Sequence, residues 1–271
     1  MKVDFLIKPV FWIALVYAGV CLVMYLAQRK LQYFPDTRHA VPSDYSLEAI
    51  TDVELTTKDG ETIHGWYAKP GDPTKPLILY FQGNAEAIQS RWERAKLFTE
   101  EGYGVFMLSY RGYGGSTGTP TEAGLMLDAQ AAYGFLREQG FSDDQLVYWG
   151  ESLGSGIAVQ LAAKHHPRAI ILEAPFSSAA DVARRSYWFL PVGLLMKDQF
   201  KSIDHVGSIN APLFIFHGDA DVVVPYGLGQ KLFDAAREPK KFHTVEGGGH
   251  VDPLTRPLWE EIKKFIVQHP R

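Results

Sequence analysis

The sequence predicts an α/β domain, a mostly parallel sheet with helices on both faces. Three observations carry that expectation. From residue 77 onward, short apolar runs alternate with segments of helical period, the order that builds strand–helix–strand units. One junction, QLVYWGESLGSGIAVQLAA at 145–163, passes from a buried-strand run through Gly150-Glu151-Ser152-Leu153-Gly154 into an apolar helical pattern. Reactive residue types also fall directly after apolar runs, and in parallel sheets chemistry gathers at the carboxyl ends of the strands.

Composition narrows the possibilities. The 271 residues carry a net charge of −4 and are 46% hydrophobic. With the first ~30 set aside, about 240 remain, which suits one large α/β domain. The balance is mildly acidic with no Lys/Arg cluster, so the electrostatic footprint of a nucleic-acid binder is missing. Cys21 is the only cysteine, which excludes an intramolecular disulfide and a C-x-x-C metal or redox motif.

The N-terminus departs from a soluble pattern. Residues 10–27, VFWIALVYAGVCLVMYLA, are uncharged and almost wholly apolar. Eighteen residues rising ~1.5 Å each nearly cover a ~30 Å hydrocarbon core. A cleaved signal peptide would show an apolar region of only ~7–15 residues and an A-x-A-like site. Tyr25-Leu26-Ala27 fits that poorly. Residues 1–30 are therefore expected to anchor the chain in a membrane, with 31–50 a linker and 51–271 the folded domain. Lys2 and Lys8 opposed by Asp4 nearly balance Arg29, Lys30 and Arg38 beyond the span, so the side holding the domain stays open.

Along the domain, TDVELTT (51–57) and ETIHGWYAK (61–69) alternate apolar and polar residues around Lys58-Asp59-Gly60, a hairpin pattern. Further strands are expected at 77–81, 105–110, the run before Gly150, 169–172, 213–216 and 242–245. Helices are expected at 86–101, 121–139, after Ser152, and at 225–237 and 256–268. The stretch 176–207 exceeds a usual strand–helix connection and contains the apolar run 187–196. It reads as a small lid over a pocket or against the bilayer, or equally as a buried helix.

A serine held at a sharp strand-to-helix turn occupies a strained backbone conformation, tolerable where its neighbours lack side chains. Gly150 and Gly154 meet that need, which makes Ser152 a candidate nucleophile rather than an ordinary helix N-cap. G-x-S-x-G arises by accident about once in ten chains of this length; the flanking strand and helix give it weight. Among the histidines, His217 and His243 sit in strand runs and His165-His166 at a helix end. His250 alone lies on a glycine loop after the last strand, free to reach back across the sheet. Asp219 and Asp221 both follow the 213–218 run, one placed to face the histidine and the other to brace the turn. An oxyanion hole needs unpaired backbone N–H groups. Leu153, at a helix N-terminus, supplies one. Asn84, in the Gln82-Gly83-Asn84-Ala85 loop, supplies the second.

With these residues in order, the chain resembles the α/β-hydrolase superfamily. It is most similar to the membrane-anchored branch bearing YRGYGxSxGxPTExG, found here as YRGYGGSTGTPTEAG at 110–124. The branch's HGNA, GxSxG, HGxxDxxVP and GxH appear in order as QGNA (82–85), GESLG (150–154), HGDADVVVP (217–225) and GGH (248–250). The resemblance spans about residues 50–268 and selects Asp221 as the acid. It implies Ser152, Asp221 and His250 as a catalytic triad, with Asn84 and Leu153 lining the oxyanion hole. Gln82 departs from the pattern, standing where the family has histidine; it can still hydrogen-bond locally and hold the loop. The function implied is a membrane-anchored serine hydrolase that cleaves esters or thioesters through an acyl-serine. A serine peptidase is the alternative, and an inactive binding module a third reading. Expected partners are a small-molecule or lipidated acyl substrate and the membrane, without nucleic acid. No metal or organic cofactor is expected, and oligomeric state is left open.

Overall fold

The computed structural model describes residues 3–250 and 254–269, with side chains from residue 8. Lys2 and the Asp4 side chain, part of the flanking charge balance, lie outside the described residues. In chain order the elements are α1 (Val3–Gln32), β1 (Thr51–Thr56), β2 (Thr62–Ala68), β3 (Leu77–Phe81), α2 (Trp92–Glu100), β4 (Gly104–Leu108), α3 (Glu122–Glu138) and β5 (Leu146–Glu151). There follow α4 (Leu153–Ala162), β6 (Ala169–Glu173), α5 (Ala179–Ser186), α6 (Val192–Leu195), α7 (Ser202–Val206), β7 (Leu213–Gly218), α8 (Tyr226–Ala235), β8 (Lys240–Val245) and α9 (Arg256–Gln268).

The strands form one eight-stranded sheet in the order β1-β2-β4-β3-β5-β6-β7-β8. β1 and β2 form the expected antiparallel hairpin, β2 also runs antiparallel to β4, and every other pair is parallel. Strands β3 to β6 are buried along their whole length, which is why they read as unbroken apolar runs rather than alternating ones. Their side chains divide between two cores. Leu77, Leu79 and Phe81 join α3 and α4 on one face, while Ile78 and Tyr80 join α2 and α9 on the other.

The chain leaves β3 toward β4 on one side and returns to β5 on the other. The loops after β3 and β5 therefore part at the sheet's switch point and leave a crevice. That crevice holds residues 82–85 and Ser152.

Several boundaries differ from the pattern in the sequence: β4 stops at Leu108 rather than 110 and α8 at Ala235 rather than 237, and two further differences have a local cause. Only 92–100 of the 86–101 stretch is α-helical, because Ala87 is extended and residues 88–91 form a tighter 3-10 turn. At the sheet edge, β8 begins at Lys240 rather than 242; a partly exposed edge strand carries lysines without an apolar signature. Between β6 and β7, the apolar run 187–196 does not form one buried helix. It breaks around the short α6, with Trp188 and Leu194 left 81% and 87% exposed.

Within α1, the 25 residues Lys8–Gln32 are long and apolar enough to cross a membrane.

Candidate active site

β5 ends at Glu151 and α4 begins at Leu153, so the whole change of direction falls on Ser152. Its backbone sits at φ 49° and ψ −112°, in the region a side chain disfavours. Neighbouring backbone closes in tightly. A Cβ on Gly154 would run into the Phe81 carbonyl, and one on Gly150 into that of Gly154. The two glycines thus let β3, β5 and α4 converge around the serine.

His250 lies in the loop after β8 and bridges two groups. Its Nε2 is 3.0 Å from Ser152 Oγ, and its Nδ1 is 2.8 Å from Asp221 Oδ2. Asp221, in the turn after β7, accepts on Oδ1 from the Val223 and Val224 amides at 2.7 and 2.9 Å. Burial alone would raise its carboxyl, but hydrogen bonds from His217 and His250 outweigh that and hold it well below the ordinary carboxylate range. An ionised carboxylate facing Nδ1 keeps the proton there and leaves Nε2 as an acceptor toward the serine hydroxyl. Asp219 takes the other position in the same turn. Its Oδ1 accepts from the Gly247 amide at 2.7 Å, bracing the loop that carries His250.

His217 enters the same network, although its place in a strand gave it no distinction in the sequence. It is buried, with Nε2 at 3.1 Å from both Asp221 Oδ2 and the Val224 carbonyl. The available signal was its place as the first residue of HGDADVVVP, four positions before Asp221.

The amides of Leu153 and Asn84 have no hydrogen-bond partner among the described residues. Leu153 opens α4, where the first amides lack helical acceptors. Asn84 is fixed through its side chain, which leaves its backbone N–H uncommitted. Its Nδ2 donates to the Gln32 carbonyl at 2.6 Å, and its Oδ1 accepts from the Phe34 amide at 3.2 Å and the Tyr113 hydroxyl at 2.8 Å. Gln82 is buried and does hold the loop locally. Its Nε2 donates to the Glu86 carbonyl at 3.3 Å, and its own carbonyl accepts from Tyr110 at 2.8 Å. The two tyrosines of YRGYG therefore pin both ends of the 82–85 loop. Arg111 between them anchors the motif to Asp128 of α3 and to Asp59 of the hairpin turn.

Behind the serine, Glu151 is buried against Arg91 at 2.6 Å and also meets Tyr80 and Arg94, while Arg94 pairs with Glu173. Burial opposes the charge on Glu151, yet Arg91 and Arg94 keep its carboxyl below the ordinary range.

Ser152, Leu153, Asn84 and His250 open onto a cavity of about 590 Å³. Its remaining walls are largely apolar, drawn from α5, the residues around α6 and the C-terminal part of α1. Elsewhere among the described residues, His39, Asp52 and His64 bring possible metal-ligand atoms within 4.8 Å of one another. There Asp52 already meets His39 at 3.0 Å, as an ordinary His–Asp pair does.

Comparisons with known proteins agree with this architecture. A family model described as alpha/beta hydrolase fold matches residues 76–195. An uncharacterized protein of Mycobacterium tuberculosis, Rv2307c, is 37% identical over 94% of this chain and 93% of its own length. Human alpha/beta hydrolase domain-containing protein 17B is 31% identical over 83% of this chain and 78% of its own. Zebrafish (Danio rerio) lysophosphatidylserine lipase ABHD12 is 32% identical over 86% of this chain and 63% of that protein. Among solved structures, the Pyrococcus furiosus esterase Pf2001 superposes with a TM-score of 0.71 at 20% identity, covering 88% of this chain and 97% of that one.

Proposed function

This chain belongs to the alpha/beta hydrolase family, and on that footing we propose a membrane-anchored serine hydrolase that cleaves carboxylic esters or thioesters. Ser152, His250 and Asp221 are its triad, and the Leu153 and Asn84 amides its oxyanion hole. The observation that carries the reading is the placement of His250 between Ser152 Oγ at 3.0 Å and Asp221 Oδ2 at 2.8 Å, at the mouth of an apolar cavity. Residues 1–30 serve as the anchor, 31–50 as the linker and 51–271 as the hydrolase domain, with 176–207 as a lid. Relatives named as a lipase and as a hydrolase domain protein support the class of reaction.

The chemistry follows from the positions. Nε2 of His250 takes the serine proton as Oγ attacks the acyl carbon, and the carbonyl π electrons move onto the oxygen. The two amides hydrogen-bond that oxyanion at the moment it forms. As the tetrahedral species collapses, the imidazolium returns its proton to the departing alkoxide or thiolate, leaving acyl-Ser152. Water, deprotonated by the same imidazole, releases the acid and restores the hydroxyl. Asp221, ionised throughout, stabilises the imidazolium and fixes its tautomer.

A peptidase that grips a free amine needs an unbalanced carboxylate beside the cleft. The two carboxylates that line the cavity, Glu86 and Glu151, share the single guanidinium of Arg91. A preference for acyl groups over amines therefore rests on the largely apolar walls beyond them.

Assays of the full chain in detergent on acyl esters, acyl thioesters and aminoacyl amides test the proposal. Ester or thioester turnover, lost by about 10⁶-fold in Ser152→Ala, is expected. Turnover confined to aminoacyl amides would replace this reading with the peptidase.

A further inference from the structure

We propose that the apolar N-terminal helix is a wall of the acyl-binding site, so that residues of α1 help set the length of acyl chain the enzyme accepts. The inference rests on the serine hydrolase reading of the same cavity and adds a role for the anchor beyond attachment.

One stripe of α1 turns toward the domain. Cys21, Met24, Ala27, Gln28 and Gln32 are only partly exposed, and their spacing of three and four residues is that of a single helical face. The remaining surface is open, with Leu22, Val23 and Leu26 at 58%, 63% and 70% exposure. A helix that only anchored the chain would have no reason to pack one face against the domain. Met24, Gln28 and Leu31 of this helix line the same cavity as Ser152 and His250. From Met24 to Leu31 the helix rises ~10 Å, enough to run beside an extended chain. Val182, Tyr187 and Leu195 face them from the α5–α6 segment.

The apposition is fixed by polar contacts rather than by apolar surface alone. Gln28 Oε1 accepts from the Lys197 amide at 2.6 Å, and its Nε2 donates to the Leu195 carbonyl at 3.1 Å. Arg29 pairs with the buried Asp198 at 2.8 Å, and Gln32 donates to the Asp198 carbonyl at 2.8 Å. Farther along, the Tyr17 hydroxyl donates to the Phe189 carbonyl at 2.9 Å, which holds the exposed Trp188–Phe189 tip against the helix. The site so formed takes a hydrocarbon acyl chain, its carbonyl at Ser152 and its tail between α1 and the α5–α6 segment.

The test uses the full chain in nanodiscs and the ratio of kcat/KM for hexadecanoyl to butanoyl esters. Met24→Trp and Leu31→Trp should lower that ratio about ten-fold or more, the scale on which small volume changes in an apolar pocket discriminate. Leu26→Trp, on the open face of the helix, should leave it unchanged. An unaltered ratio in the first two variants, or an equal change in the third, would overturn the inference. A second measurement does not depend on hydrolysis, so the wall can fail or stand separately from the catalytic reading. A long-chain alkyl probe with a photoreactive diazirine near its end should crosslink to residues 21–32. Crosslinks found only outside α1 would remove the helix from the site, whatever the enzyme hydrolyses.

Discussion

His217 Nε2 and His250 Nδ1 meet one and the same carboxylate oxygen, Oδ2 of Asp221, at 3.1 and 2.8 Å. Only the second imidazole reaches Ser152, so the first acts by holding the carboxylate in place. His217→Phe keeps a ring in the buried space and removes the hydrogen bond. A hydrogen bond to a charged group contributes ~1.5–3 kcal/mol, so kcat should fall about ten-fold or more with KM unchanged. Steady-state kinetics on a short ester reads the split, and an unchanged kcat would reduce His217 to packing.

Asp221→Asn should lower kcat about 10⁴-fold, because the amide no longer imposes the tautomer that leaves Nε2 free. It also carries a pH signature. The Asp221 carboxyl is depressed in the fold, so the unfolded chain takes up this proton first as pH falls. Its stabilisation is present above the ordinary carboxyl value of ~3.9 and is lost as pH drops through the depressed one. The Tm gap between wild type and Asp221→Asn should therefore be widest above pH ~5 and narrow toward pH ~3.

Much of this arrangement was legible in the sequence, for identifiable reasons. Strands β3 to β6 are buried on both faces and so announce themselves as apolar runs, and their order around Gly150 and Gly154 points to Ser152. His250 stands out because a glycine loop is a poor place for a structural histidine. The choice between Asp219 and Asp221 came from family resemblance, since one turn holds both and only the fold separates their directions. His217 was hidden because a buried strand histidine looks like core. The clamp between α1 and Asp198 was hidden because its partners are about 170 residues apart (Arg29 and Asp198 differ by 169) and nothing local marks them.

Gly154→Ala tests the elbow's geometry directly. The added methyl meets the carbonyls of Phe81 and Gln82, backbone atoms of a buried strand end that have little room to yield. Overpacking of this kind costs about 3 kcal/mol or more. Urea titration should show the loss, and a midpoint equal to wild type would mean that the turn relaxes.

Arg94→Met leaves Glu173 and Glu151 facing each other without the buried guanidinium that joins them. Removing one partner of a buried ion-pair network costs ~3–5 kcal/mol. The double variant Arg94→Met with Glu173→Gln should recover part of that loss. Identical melting of the single and double variants would contradict the coupling.

The most direct measurement is mass spectrometry of the full chain after reaction with an alkyl fluorophosphonate. One adduct is predicted, on the peptide carrying Ser152, and it should vanish in Ser152→Ala together with ester hydrolysis. An adduct on another residue, or a Ser152→Ala protein that hydrolyses esters at the wild-type rate, would contradict the assignment of this serine as the nucleophile.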